Sequence, residues 1–157
     1  MEKRIIYHGS SQIIEMPEIR LAKYNKDFYF GFYCTVIKKQ AERWAARFGE
    51  TGYISLYEYI PSGNLRYLTF ENMTEEWLDF IVACRSGQAH DYDIVEGPMA
   101  DDTIYNYIQG FIEGKVSRAA FWELAKFKYP THQISFHTAR ALTTLKFLKR
   151  VPIYEEL

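Results

Sequence analysis

The chain has 157 residues, 48% of them apolar and 25% charged, with 19 Lys and Arg set against 20 Asp and Glu. That is the size and balance of one globular domain, residues 1–157, able to bury on the order of 70% of its unfolded surface without metal or disulfide staples. A formal net charge of −1 argues against affinity built on a broad basic surface, because binding a phosphate backbone takes many clustered Lys and Arg.

Residues 4–8 alternate, with Arg4, Ile6 and His8 on one face and Ile5 and Tyr7 on the other, and Gly9, Ser10 and Ser11 then close a strand that ends at His8. Residues 12–27 carry no sustained period, and Pro17 favours an extended connection. The aromatic stretch FYFGFYCT at 28–35 predicts a second strand, with Gly31 at a bend or a close backbone approach. Ile37, Ala41, Trp44, Ala45 and Phe48 fall on one helical stripe, which Gly49 or Gly52 ends. Residues 53–60 form a third strand, a PSGN turn follows at 61–64, and residues 65–70 form a fourth strand. Asn72 with Glu75 makes an N-cap pair for a helix carrying Trp77, Leu78, Ile81 and Val82. A short strand at 92–95 precedes Gly97 and Pro98, and Asp101 and Asp102 open a helix running to about Glu113, where carboxylates favour the amino-terminal dipole. Ser117 starts a helix to Lys126, residues 133–137 alternate as a late strand, residues 138–145 are helical, and residues 147–154 form a closing strand. Hairpins with inserted helices, rather than regular βαβ alternation, predict an α+β fold. Trp77 and Trp122 follow helical periodicity and read as core. Lys38, Lys39 and the basic run from Lys146 to Arg150 read as solvated faces.

Cys34 and Cys84 sit in apolar stretches and read as buried thiols of a reducing compartment. No stretch approaches the roughly eighteen apolar residues that a membrane span requires, so the expected location is the cytoplasm. The chain has no C-x-x-C pair, Walker loop, G-x-G-x-x-G, H-E-x-x-H or G-x-S-x-G. Its histidines, at 8, 90, 132 and 137, have no ligand-like spacing, so no metal is expected. With 13 Tyr, 11 Phe and 3 Trp, the aromatic load suits a cleft that grips a flat ligand as well as a core.

Three segments stand out: Tyr7, His8, Gly9 and Ser10 at the first strand's end; Gly31, Phe32, Tyr33, Cys34 and Thr35 in the second; and Gln133, Ile134, Ser135 and Phe136 late in the chain. Trp44 lies eleven residues beyond Tyr33. This pattern resembles the ADP-ribosyltransferase superfamily, in the branch that includes diphtheria toxin and the poly(ADP-ribose) polymerases and is named for a His-Tyr-Glu triad. Within it, the chain is most similar to a small bacterial family of unknown function.

The resemblance implies a split mixed β-sheet core with flanking helices and an NAD-sized cleft, and transfer of ADP-ribose from NAD to a protein or nucleic-acid acceptor with release of nicotinamide. By the same resemblance His8 orients the nicotinamide-side ribose, the Gly9 backbone holds the carboxamide, Tyr33 and Trp44 sandwich the nicotinamide, and Ser10 and Thr35 flank them in the cofactor site. Gln133 stands where the triad has its glutamate. A small transferase of this kind also resembles an intracellular toxin, which implies a neutralising antitoxin protein as partner.

Chemistry supports these roles beside the name. Stacking between two π faces orients a nicotinamide without desolvating polar groups, and a strand-end glycine lets backbone donors and acceptors approach a carboxamide. Gln133 can bond a ribose hydroxyl or an acceptor but carries no charge and takes no proton, which removes general-base help commonly worth about 10²–10⁴-fold. Asp101 or Asp102 could substitute, and Arg20, Lys23 or Arg4 could meet the diphosphate. The missing glutamate also motivates a non-catalytic NAD-binding module as the alternative, and a protein-interaction domain with a vestigial cleft as a third reading. RNA 2′-phosphate transfer ranks low, because the neutral charge and scattered histidines supply no phosphate site.

Overall fold

The computed structural model of the protein describes residues 3–19, 27–47, 52–100, 102–126 and 131–152. In chain order the elements are β1 (Arg4–Ser10), β2 (Phe32–Cys34), α1 (Lys38–Ala46), β3 (Tyr53–Tyr59), β4 (Tyr67–Thr69), α2 (Glu75–Arg85), β5 (Ile94–Gly97), α3 (Asp102–Ile112), α4 (Arg118–Ala125), β6 (Gln133–Phe136), α5 (Ala139–Leu142) and β7 (Leu145–Pro152). The fold is α+β, as the mixed element order predicts. A three-stranded antiparallel sheet runs β1-β3-β7, and a four-stranded mixed sheet runs β2-β6-β5-β4, in which β4 and β5 are parallel. The parallel pair is linked through α2, since two parallel strands need a crossover.

Strand alternation sorts the core into layers. Ile6 of β1 and Tyr57 and Tyr59 of β3 meet Phe32 and Cys34 of β2, Ile94 of β5, and Ile134 and Phe136 of β6, so one apolar layer draws on both sheets. A second layer joins Val95 and Phe28 to Trp77, Leu78 and Ile81 of α2, Ile104 and Ile108 of α3, and Phe121 of α4. A third, smaller one seats Ala41 and Ala45 of α1 on Ile54 and Val151. Cys34 and Cys84 are buried free thiols, and burial, with the Asp27 charge adding to it, pushes the Cys84 thiol up to about 12.

Three expectations change. The strand expected over 28–35 is confined to β2, because residues 27–31 turn instead: Tyr29 sits at φ 78°, and the turn's carbonyls are taken by side chains rather than by a neighbouring strand. His90 Nε2 bonds Phe28 O at 2.9 Å, the Tyr33 hydroxyl donates to Tyr29 O at 2.5 Å, and His137 Nδ1 bonds Phe30 O at 2.8 Å. The cap of α2 is Thr74, whose hydroxyl accepts from Trp77 N at 3.2 Å, and not Asn72; a β-region residue directly before the first turn is the one placed to reach the free amides. Trp77 is fully buried, with Nε1 donating to Pro98 O at 2.8 Å, whereas Trp122 is only half-buried, because its Nε1 reaches out to Glu75 Oε1 at 2.7 Å. Phe48, Gly49 and the end of the closing strand beyond Pro152 lie outside the described residues.

Candidate functional site

The three motif segments occupy adjacent strands. β2 pairs antiparallel with β6, so Tyr33 faces Ser135, and β1 meets β2 through a single bridge between Tyr7 and Thr35. In that bridge each residue's N–H donates to the other's carbonyl, at 2.8 and 2.9 Å. Tyr7 therefore spends both backbone groups on β2, and by strand alternation Gly9 turns its N–H and C=O to the same side, away from β3. There the two strands part. Where a second bridge would put Gly9 opposite Tyr33, the Tyr33 carbonyl instead accepts from His8 Nδ1 at 2.6 Å.

That hydrogen bond fixes the imidazole. A carbonyl only accepts, so Nδ1 carries a proton. The ring also stacks on Phe32, with centroids 4.3 Å apart and planes inclined by 26°. His8, Ser10, Gly31, Phe32 and Tyr33, together with residues of the 11–18 segment, line a hollow of about 480 Å³, within the range of small-molecule sites. Ser10 Oγ donates to Gln12 O at 2.6 Å, which turns the chain directly after β1.

Gly9 has a packing reason as well. A Cβ there would lie 2.1 Å from Ala41 O and 2.8 Å from Ala45 N, so the absence of a side chain lets α1 rest on β1. Antiparallel partners share a face, and this puts Thr35, Tyr33 and Gln133 on the same side as Tyr7, Gly9 and the helix that carries Trp44. Tyr33 and Trp44 are not paired as rings, however. The ring neighbour of Tyr33 is His137, edge-on at 6.3 Å, and its hydroxyl is held in the 27–31 turn, also accepting from Phe28 N at 3.0 Å. Burial, with the Asp27 charge behind it, raises that phenol well above its ordinary range. Trp44 is half-buried on α1.

Gln133 is drawn inward and is only 3% exposed. Its Nε2 donates to Asp27 Oδ2 at 3.0 Å and, more loosely, to Pro98 O at 3.4 Å. Asp27 is itself buried and accepts from Arg85 Nε at 2.9 Å, from Arg85 Nη2 and from Ala100 N at 3.0 Å. The amide is thus dictated by its surroundings, since a carboxylate at position 133 would face another carboxylate. Arg4 is committed elsewhere too: it grips Glu96 through both terminal nitrogens, at 2.7 and 2.8 Å, which removes it as a diphosphate ligand. Burial alone would raise the Glu96 carboxyl, but Arg4 and His132 hold it at about 2. His132 continues the chain of contacts to the buried Thr35, with Nε2 on Glu96 Oε2 at 2.7 Å and Nδ1 accepting from Val36 N at 3.1 Å and meeting Thr35 Oγ1 at 3.3 Å. Arg20, Lys23 and Asp101 lie outside the described residues, and of Asp102 only its place at the start of α3 is described.

Sequence reading missed Asp27, Arg85, Glu96 and His132. Their separations, such as 106 positions between Asp27 and Gln133, leave no local signal. Among the described residues no group of His, Cys, Asp or Glu is placed to hold a metal ion, and no helix is long and apolar enough to cross a membrane.

The fold and site together define an α+β protein with a ligand-sized hollow at the divergence of two strands, bordered by an oriented histidine. The chain belongs to the family described as "Protein of unknown function (DUF3990)", whose model matches residues 4–147. No curated protein and no solved structure matches it.

Proposed function

We propose that the hollow binds the nicotinamide riboside end of NAD and that the protein transfers ADP-ribose to a macromolecular acceptor, protein or nucleic acid. The observation that carries this reading is the His8 imidazole, held by Nδ1 on the Tyr33 carbonyl where β1 and β2 part. His8 and Tyr33 border the same hollow, so a ring of fixed orientation meets the ribose there, and the Gly9 backbone, next in sequence, holds the carboxamide. In the reaction the C1′–N bond breaks with its electron pair leaving on nicotinamide, the acceptor's nucleophilic atom bonds C1′, and its proton goes to a base. The resemblance to His-Tyr-Glu transferases adds the expectation of an intracellular toxin with a neutralising protein partner.

The inward turn of Gln133 favours a second reading, in which the site binds NAD without turning it over. Titration calorimetry with NAD and chromatography for free nicotinamide separate the two. Saturable binding with nicotinamide release supports transfer, binding alone supports the module, and neither leaves only a protein-interaction role. His8→Ala should weaken NAD binding roughly tenfold, the value of about one hydrogen bond to a buried partner; undiminished affinity would refute the assignment of His8.

A further inference from the structure

A transferase without a carboxylate at the head of β6 needs one from elsewhere, and among the described residues that line the hollow are Glu15 and Glu18. They differ in how the chain beneath them is held. Ile14, directly before Glu15, is tied at both backbone groups to β3: its N–H donates to Ser55 Oγ at 3.1 Å, and its carbonyl accepts from the Tyr57 hydroxyl at 2.5 Å. Ser55 and Tyr57 are buried, and Ser55 stands directly opposite His8 in the β1–β3 register. Cross-strand partners put their side chains on one face about 5 Å apart, so the anchor of Ile14 lies beside the imidazole. Glu15 follows that anchor by one residue and is exposed to the hollow, whereas Glu18 lies beyond Pro17, three positions further from it.

We propose that Glu15 is the catalytic carboxylate of this site, an inference that rests on the transferase reading above. It faces the ribose as positive charge develops at C1′ and takes the proton of the incoming nucleophile. With water as that nucleophile, the oxygen bonds C1′, the proton passes to Glu15 and on to solvent, and the products are ADP-ribose and nicotinamide. A fixed backbone matters because a base one ångström out of place loses much of its effect.

The test compares wild type, Glu15→Gln and Glu18→Gln in NAD affinity by calorimetry and in nicotinamide release into water. Glu15 is exposed, so its amide variant should fold as wild type, checked by circular dichroism. Glu15→Gln should lower kcat by about 10²–10⁴-fold while NAD affinity stays within about threefold. The inference is overturned if Glu15→Gln turns over like wild type, if affinity and turnover fall together, or if the larger loss falls on Glu18→Gln. Wild-type protein that binds NAD and releases no nicotinamide overturns it together with transfer, while leaving NAD binding in place. Wild-type protein that fails to bind NAD removes the site reading itself.

Discussion

Gln133→Glu restores the residue type that a His-Tyr-Glu site would carry, and the structure predicts that it costs stability at neutral pH but not in acid. The native amide donates to Asp27 at 3.0 Å inside the protein. A glutamate would bring an oxygen equally close to that carboxylate. At an effective dielectric of about 20, two like charges about 3 Å apart repel by about 5 kcal/mol. Staying protonated at pH 7, against an unfolded pKa of about 4.3, costs about 3.7 kcal/mol. The cheaper course is protonation, with the new hydroxyl donating to Asp27 as the amide did. Residue 133 then has a folded pKa above its unfolded value, so its contribution is intact below about pH 4.3 and is lost as pH rises through the folded pKa.

Relative to wild type, the variant should therefore lose about 1.4 kcal/mol per pH unit over this range, opening a gap of roughly 2–3 kcal/mol between about pH 5 and pH 7. Urea unfolding followed by tryptophan fluorescence, with both proteins run at each pH, reads this directly. A deficit that does not vary with pH would show that the Arg85 guanidinium neutralises both carboxylates, and electrostatics would no longer explain the amide at 133.

Wild-type stability should itself fall in acid through His137, which bonds Phe30 O and Ser135 Oγ at 2.8 and 2.7 Å and whose pKa is lowered to about 4, first by burial and further by His90, against the pull of the Phe30 carbonyl. A folded pKa below the unfolded value of about 6.5 gives stability that is full above pH 6.5 and declines as pH falls toward 4, by up to about 3 kcal/mol; urea midpoints for wild type and His137→Asn should converge in acid, and parallel curves would contradict this. Gly9→Ala forces a methyl into the Ala41 carbonyl and must displace α1 from β1, at a cost of about 1–3 kcal/mol for overpacking; an unchanged melting temperature would count against the close packing of α1 on β1.

The fold was legible wherever periodicity was local. β1, β3, β6, α1 and α3 follow their hydrophobic spacing to within a few residues, and the order of strands and helices indicated α+β. The 28–35 stretch misled because its β-forming aromatics satisfy a turn: Tyr33 folds back to bond Phe28 and Tyr29, and the histidines that complete the turn come from positions 90 and 137. The site was legible as three segments that fall on neighbouring strands. What surrounds Gln133 was not, because no short-range pattern links Asp27, Arg85 and Ala100 to it. Thr74 escaped notice for a simpler reason: Asn72 offered a capping box with Glu75, and only the backbone shows where the first turn begins.

One local event accounts for the placement of this hollow. Tyr7 and Thr35 exchange two backbone hydrogen bonds, and continuing that ladder would have closed Gly9 onto Tyr33. The His8 side chain takes the Tyr33 carbonyl in its place, which satisfies an acceptor that would otherwise be costly to bury and holds the strands apart. Gly9 has its own reason, because without a Cβ it lets α1 press directly on its Cα. The Y-H-G sequence therefore has a structural reason at each of its three positions: a bridge, a side-chain substitute for the next bridge, and a helix seat. Those reasons would hold in a protein with no ligand at all, so motif residues alone do not separate an enzyme from a scaffold. Glu15 does separate them: its carboxylate is exposed and ties no elements together among the described residues, so a loss of turnover at unchanged NAD affinity on removing it has a chemical explanation.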